Sequence, residues 1–249
     1  MPISPSLRRR SAFLAACSIA LGAVVALPAM SGVAGAAIFR PDRPASDIAQ
    51  DALRKPAMMM KFTGVRRGQT VVEILPGAGY FTRVFSNAVG PTGKVYAATS
   101  RESDELKALV REPGRQNIVL HVGSLAEIAP AGSANLVWTS RNYHDLKGSK
   151  APADAAATVN RAAFAALKPG GYYVVLDHSA VAGSGFRDVD TLHRADADAV
   201  KAEVLQAGFV FDSESKLLAN PGDDRSKPVF DPAIQGKTDQ FVLRFRKPK

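Results

Sequence analysis

Three of the four histidines in this 249-residue chain fall in short polar phrases: Arg141-Asn142-Tyr143-His144-Asp145, Asp177-His178-Ser179 and His193-Arg194. An imidazole changes charge near neutral pH, so it suits a step in which a proton is taken or returned. A neighbouring carboxylate can orient it. His144 and His178 are therefore the candidate general bases, with Asp145 or Asp177 as orienting partners. His144, His178, His193 and Asp145 are also donors that zinc or another divalent ion accepts. No tight His-x-x-x-His spacing is present, so the sequence assigns no metal.

A second stretch could hold a ligand rather than react with it. Val71-Val72-Glu73-Ile74-Leu75-Pro76-Gly77-Ala78-Gly79-Tyr80-Phe81-Thr82 is a short apolar run, an acidic residue, a Gly-x-Gly turn and a helix-like segment. The glycines allow a tight turn and a close backbone approach to a ligand. Glu73 can accept hydrogen bonds from a bound nucleoside, and the backbone of Gly77, Ala78, Gly79 and Tyr80 offers donors. Taken alone, such a turn also fits a plain strand-to-helix connection.

These residues need a scaffold, and the order of elements supplies one. A helix starts at Ser46 or Asp47 and runs to Phe62, broken or kinked near Pro56. Strands are expected at 70–75, 94–98, 116–122, 134–139 and 172–177, with helices at 80–88, 103–110, 151–167 and 191–207 between or after them. His121 falls inside the third strand and reads as a core residue. Two closing apolar stretches, 209–218 and 240–246, lack an intervening helix and read as an antiparallel pair. The fold class is α/β: a doubly wound, mostly parallel seven-stranded sheet with an antiparallel C-terminal strand pair.

The glycine turn resembles that of class I S-adenosylmethionine (SAM)-dependent methyltransferases, in which an acidic residue, an apolar residue and Gly-x-Gly-x-Gly open the cofactor cleft. Glu73, Gly77, Gly79 and Thr82 match. Leu75 stands at the first glycine and Pro76 follows it. Leu167-Lys168-Pro169-Gly170-Gly171-Tyr172 ahead of a strand is a further phrase of that family. The chain is also similar to a family of bacterial predicted methyltransferases that carry signal sequences, through Arg141–Asp145, Asp177-His178-Ser179, His193-Arg194 and Lys237-Thr238-Asp239-Gln240-Phe241-Val242. The resemblance implies SAM as cofactor, with its methionine portion against Gly77–Tyr80. It implies ribose contacts from Ser100 or Glu102 after the second strand, an adenine contact from Ser124 after the third, and a contact from Asn142 after the fourth. It also implies methyl transfer to a small-molecule acceptor. A rival from another class is a non-catalytic periplasmic protein that binds a nucleoside or other small molecule on a degenerate methyltransferase fold. A nicotinamide enzyme is remote: Tyr143 and Lys147 spell the Tyr-x-x-x-Lys of short-chain dehydrogenases, but directly after a strand rather than on a long helix.

The N-terminal residues predict export. Arg8-Arg9-Arg10 is followed by an apolar run from Ala12 to Met30, and Ala34-Gly35-Ala36 has the small residues a signal peptidase reads. Residues 1–36 are thus expected to be a signal peptide, and 37–249 a single domain without a membrane span, periplasmic or secreted. Arg9-Arg10 ahead of Ser11-Ala12-Phe13-Leu14 is a degenerate twin-arginine pattern. Cys17 is the only cysteine, so the mature chain would have no disulfide and no thiolate chemistry. The formal charge of +9 includes those three arginines. No basic run is interleaved with aromatics, which argues against nucleic acid as partner.

Overall fold

The computed structural model describes residues 1–2 and 43–249, so all but the first two residues of the expected signal peptide, and its cleavage point, lie outside the described residues. Three short helices open the fold: α1 (Ala45–Ile48), α2 (Asp51–Arg54) and α3 (Pro56–Thr63). The break expected near Pro56 is present, where Lys55 takes a left-handed backbone (φ 46°) directly before the proline, and a second interruption at residues 49–50 separates α1 from α2. A proline disfavours helical geometry in the residue before it, so a new helix starts at Pro56 instead.

Strands and helices then alternate: β1 (Thr70–Ile74), α4 (Tyr80–Val89), β2 (Lys94–Thr99), α5 (Asp104–Arg111), β3 (Ile118–Val122) and β4 (Ala134–Ser140). A 3-10 turn at His144–Lys147 leads to α6 (Ala155–Ala166), β5 (Leu167–His178), α7 (Ala197–Gln206), β6 (Val210–Ser215) and β7 (Gln240–Arg246). The strand order is β3-β2-β1-β4-β5-β7-β6, a seven-stranded sheet. It is parallel from β3 to β5, and β7 runs antiparallel between β5 and β6. This is the α/β architecture the element order predicts. The chain winds outward in one direction from β1 and in the other from β4, so a crevice opens beyond the carboxyl ends of that pair.

Side chains alternate faces along each strand. Val72, Ile74, Val137, Tyr173, Val175 and Leu243 pack under Val159 and Ala163 of α6 and Val200 and Val204 of α7. On the other face Val71, Leu136, Trp138, Val174 and Val242 meet Met59, Phe81, Val84 and Phe85. Trp138 is fully buried, with ring centroids 4.8 Å from Phe81 and 5.5 Å from Phe85. Helices thus cover both faces, as near-continuous apolar strands require.

Two local expectations need correction. His121 is only half-buried rather than a core residue, because β3 is an edge strand of the sheet. The helix expected from Thr191 begins at Ala197. Asp196 caps it by accepting from the Asp198 amide, and the same carboxylate accepts from the amides of Gly183 and Gly185. His193 and Arg194 therefore precede the helix, where Ala195 bridges Ser179 after β5.

Candidate active site

β1 ends at Ile74, and Leu75 makes the turn with a left-handed backbone (φ 53°). A leucine thus adopts the conformation that the first glycine of the motif would take freely, at a strain on the order of 1–2 kcal/mol. Asn142 braces it. Its Nδ2 donates to Leu75 O at 2.8 Å and Ile74 O at 3.4 Å, while its Oδ1 accepts from Thr139 Oγ1. Gly77 (φ 58°) and Gly79 (φ 83°) continue the turn. A Cβ on Gly79 would lie 2.5 Å from Leu109 Cδ2, whereas one on Gly77 would meet nothing within 4 Å. Gly79 lets α5 approach closely, and Gly77 leaves space for a ligand.

That space is a cavity of about 700 Å³. Leu75–Ala78 and Tyr80 wall one side, Ser140–Asn142 and Asp145 another, and Asp47, Gln50 and Arg54 reach it from the N-terminal helices. A second cavity of about 510 Å³ is lined by Ser100, Gly123, Ser124 and Leu125, and it shares Leu75, Arg101 and Asp145 with the first. The two form one groove across the ends of β1 to β4, of a size that suits a nucleoside-bearing cofactor.

The sequence-derived contacts divide on this groove. Gly77, Ala78, Tyr80 and Asn142 line the first cavity, and Ser100 and Ser124 the second. Ser124 Oγ also accepts from the Ala126 amide at 3.2 Å, so its hydroxyl is partly spent on its own turn. Glu102 lines neither cavity; it is exposed and lies 3.1 Å from Lys107 Nζ. Glu105 is the carboxylate that reaches the wall after β2. Ser103 caps α5 by accepting from the Leu106 amide, and this start of the helix carries Glu105 round to the groove. The sequence reading missed it by three residues.

Glu73 departs most from its expected role. It shares a strand face with Val71, under α4, and Thr82 Oγ1 donates to its Oε2 at 2.5 Å. Only 3% of the residue is exposed, and it lines neither cavity. Burial pushes its carboxyl up to about 8, against the opposing hydrogen bond from Thr82 and the charge of Arg54. It is a neutral acid behind the glycine turn at pH 7.

Three arginines line the first cavity: Arg101 is exposed and shared with the second, while Arg54 and Arg141, neither singled out by the sequence reading, are half-buried. Arg54 lies over the Tyr80 ring, 4.5 Å from its centroid, and its Nε is buried without a hydrogen-bond partner. Tyr80 Oη in turn donates to Asp51 Oδ1 at 2.7 Å. Arg141 takes a left-handed backbone (φ 61°) and donates from Nε to Gln240 Oε1 at 3.0 Å. Burial, reinforced by the nearby charge of Arg54, pulls Arg141 down to about 10. Among the described residues neither arginine is paired with a carboxylate. Together they make the cavity receptive to a ligand carboxylate. Arg141 could have been read from its place beside Asn142; Arg54 left no signal in a segment that reads as a lead-in helix.

The histidines converge beside this groove around Asp177, which is fully buried at the end of β5. Its Oδ2 accepts the His144 amide at 2.8 Å, and its Oδ1 accepts the His178 amide at 2.7 Å and lies 2.8 Å from His144 Nδ1. Burial alone would raise the Asp177 carboxyl, but the charge and hydrogen bond of His144 outweigh it and hold the pKa low. The same pairing outweighs burial at His144 and raises its imidazole. His178 behaves differently. Burial drives it down to about 3, and its Nδ1 lies 2.7 Å from Thr238 Oγ1. A nitrogen with so little proton affinity is a poor base at neutral pH.

Asp145 Oδ1 lies 3.4 Å from His144 Nε2 and 3.8 Å from His193 Nδ1. Asp145 is on the wall of both cavities and joins this cluster to the groove, while His144, with its side chain buried, and His193 line neither cavity. His193 has a left-handed backbone (φ 54°) and packs edge-on against Phe230 at 4.9 Å. Tyr143 and Lys147 act as structural ties. Tyr143 Oη donates to Glu203 Oε2 and Lys147 Nζ to Glu203 Oε1, which fastens the 3-10 turn to α7.

The ubiE/COQ5 methyltransferase family model matches residues 47–193 of this chain. The ubiquinone/menaquinone biosynthesis C-methyltransferase UbiE of Pseudomonas savastanoi pv. phaseolicola is 32% identical over 127 residues, 48% of this chain and 46% of that protein. The similarity thus spans less than half the length of that relative. Among solved structures, a SAM-dependent methyltransferase from Aquifex aeolicus superposes with a TM-score of 0.61 at 19% identity, covering 84% of this chain and 96% of that one. The 1,6-didemethyltoxoflavin-N1-methyltransferase of Burkholderia thailandensis, solved with S-adenosylhomocysteine, gives 0.55 at 15% identity with 80% of each chain covered. At these identities the structural likeness is one of fold.

Proposed function

The chain belongs to the ubiE/COQ5 methyltransferase family, and on that basis we propose that it transfers a methyl group from SAM to a hydroxylated small molecule held at the His144–Asp145 rim. The observation that carries this reading is the groove at the strand-order switch, with the glycine turn at one end and the histidine rim beside it. The methionine portion of SAM meets Gly77–Tyr80, and its carboxylate meets Arg54 and Arg141. Glu105 and Ser100 serve the ribose, and Ser124 the adenine side.

The chemistry is a direct displacement. An electron pair of the acceptor forms the new bond to the methyl carbon while the carbon–sulfur bond breaks and its electrons stay on sulfur, leaving S-adenosylhomocysteine. The enzyme's main contribution is to align the two centres. A hydroxyl on the acceptor must lose its proton, so that its oxygen, or a ring carbon it activates, becomes nucleophilic. That proton passes to His144, whose Nε2 lies 3.4 Å from Asp145 on the cavity wall and whose Nδ1 is held by Asp177. With isotope-labelled SAM and a panel of hydroxylated aromatic acceptors, label should pass to an acceptor, and His144→Gln should lower turnover by about 10²-fold or more. Turnover unchanged in His144→Gln would remove that residue from the chemistry.

The domain acts outside the cytoplasm, a reading supported by the basic and apolar run of residues 1–36. No helix among the described residues is long and apolar enough to cross a membrane. SAM is made in the cytoplasm, so export of the folded, loaded protein through a twin-arginine route would carry only one equivalent of cofactor. N-terminal sequencing of protein recovered from the periplasm or medium should begin at Ala37. Full-length protein confined to the cytoplasm would contradict export.

A further inference from the structure

We propose that His144 Nε2, His193 Nδ1 and Asp145 Oδ1 form a three-ligand site for a divalent transition ion of the zinc class, open toward the groove. The ion site stands on its own geometry; its use on the acceptor's oxygen rests on the methyl-transfer reading above.

The three ligand atoms lie within 4.8 Å of one another, and the two separations to the shared carboxylate oxygen are 3.4 and 3.8 Å. Four ligands at about 2.0–2.1 Å around a tetrahedral ion are about 3.3 Å apart, so only small side-chain movements would close the site. The donors come from separate parts of the chain, the end of β4 and the loop after β5. His193 reaches its place through a left-handed backbone that a histidine adopts only at a cost (φ 54°).

An independent observation concerns the support behind the ligands. The buried carboxylate of Asp177 takes His144 Nδ1 at 2.8 Å, and the backbone amide of the same residue fixes the other oxygen. This pairing sets the ring's orientation and puts the Nε2 lone pair toward Asp145 and His193. Carboxylate support of a ligating imidazole is a recurrent feature of metal sites. His178 is not a fourth ligand, because the group of ligand atoms within 4.8 Å of one another comprises only His144, Asp145 and His193.

Two imidazoles and one carboxylate favour a transition ion over magnesium or calcium, which take oxygen ligands. Three protein ligands leave a position for an exchangeable group, and Asp145 puts that position beside both cavities. An acceptor hydroxyl bound there gives its proton to solvent and keeps its electron pair. That pair then forms the bond to the methyl carbon, directly from oxygen or through an adjacent ring carbon, as the carbon–sulfur electrons go to sulfur. When the ion is bound His144 serves as a ligand and not as the proton acceptor.

Titrating the full chain with zinc alone by calorimetry should give one site per chain. His193→Ala and Asp145→Asn should each weaken it at least about tenfold, and Asp177→Asn by about 10–100-fold. His193 and Asp145 are partly exposed, so these two variants should keep the wild-type melting temperature and remain readable if Asp177→Asn unfolds. Cobalt in place of zinc should give the visible absorption of a four-coordinate ion, lost in the same variants. Absence of a one-to-one site, or equal zinc affinity in wild type, His193→Ala and Asp145→Asn, would overturn the proposal. SAM binding without zinc binding sinks the ion site alone; zinc binding without SAM binding sinks the methyl-transfer reading and leaves the ion site standing.

Discussion

Asp223→Ala should lower the unfolding free energy by about 3–5 kcal/mol, the typical cost of leaving one partner of a buried ion pair alone. Arg194 is fully buried, and its Nη1 and Nη2 donate to the two oxygens of Asp223 at 2.9 and 3.1 Å. The guanidinium also donates to Ser179 O and Lys227 O, both at 3.0 Å. Asp223 in addition accepts the amides of Arg225 and Asp239. One charge pair thus fastens the long connection between β6 and β7 to the strand end that carries the histidine rim. Alanine removes the carboxylate and leaves a buried cation with only the carbonyls of Ser179 and Lys227 as acceptors. Urea unfolding measures the loss, and the apolar double variant Arg194→Met with Asp223→Leu should recover most of it. A loss below about 1 kcal/mol for Asp223→Ala would show that the guanidinium stays solvated.

The second large effect is a stability that falls as pH rises, traced to Glu73. Its carboxyl titrates at about 8 in the fold, against an ordinary value of 4.5. The native state therefore keeps a proton that the unfolded chain releases. The stabilisation from this retained proton is complete below pH 4.5 and is lost as pH rises, until the native carboxyl also ionises near pH 8. The slope for one such group approaches about 1.4 kcal/mol per pH unit within that window. Glu73→Gln keeps an acceptor for Thr82 without ionising, so its stability relative to wild type should grow from pH 5 to about 8. Parallel stability curves for the two proteins would mean that Glu73 is ionised in the fold.

The order of elements made the sheet legible, because apolar strand runs separated by helical spacing leave few ways to wind. The reversal before β7 was also readable, since Asn220-Pro221-Gly222 and Pro228 punctuate a link without a helix. Residue roles were harder. A period of two along β1 decides whether Glu73 faces the groove or α4, and a motif match does not carry that information. Leu75 breaks the glycine pattern in type while keeping its backbone geometry, because Asn142, remote in sequence, holds the turn. Glu105 rather than Glu102 reaches the groove because Ser103 sets where α5 begins. The His144–Asp177 pairing spans 33 residues. The adjacent Asp145 and the distant Asp177 were equal candidates until the register of β4 against β5 brought the second behind the ring. Arg194, read only as a neighbour of His193, proved to be the buried anchor of the rim.

Calorimetric titration of the purified chain with SAM, S-adenosylhomocysteine and NAD probes the donor site itself. SAM and its demethylated product should each bind at one site with Kd on the order of micromolar, about −8 kcal/mol, and NAD should not compete. Gly77→Val, which fills the open side of the turn, should weaken both by at least about tenfold. Absence of SAM and S-adenosylhomocysteine binding, or binding unaltered by Gly77→Val, would contradict the claim that the glycine turn and its groove hold the methyl donor.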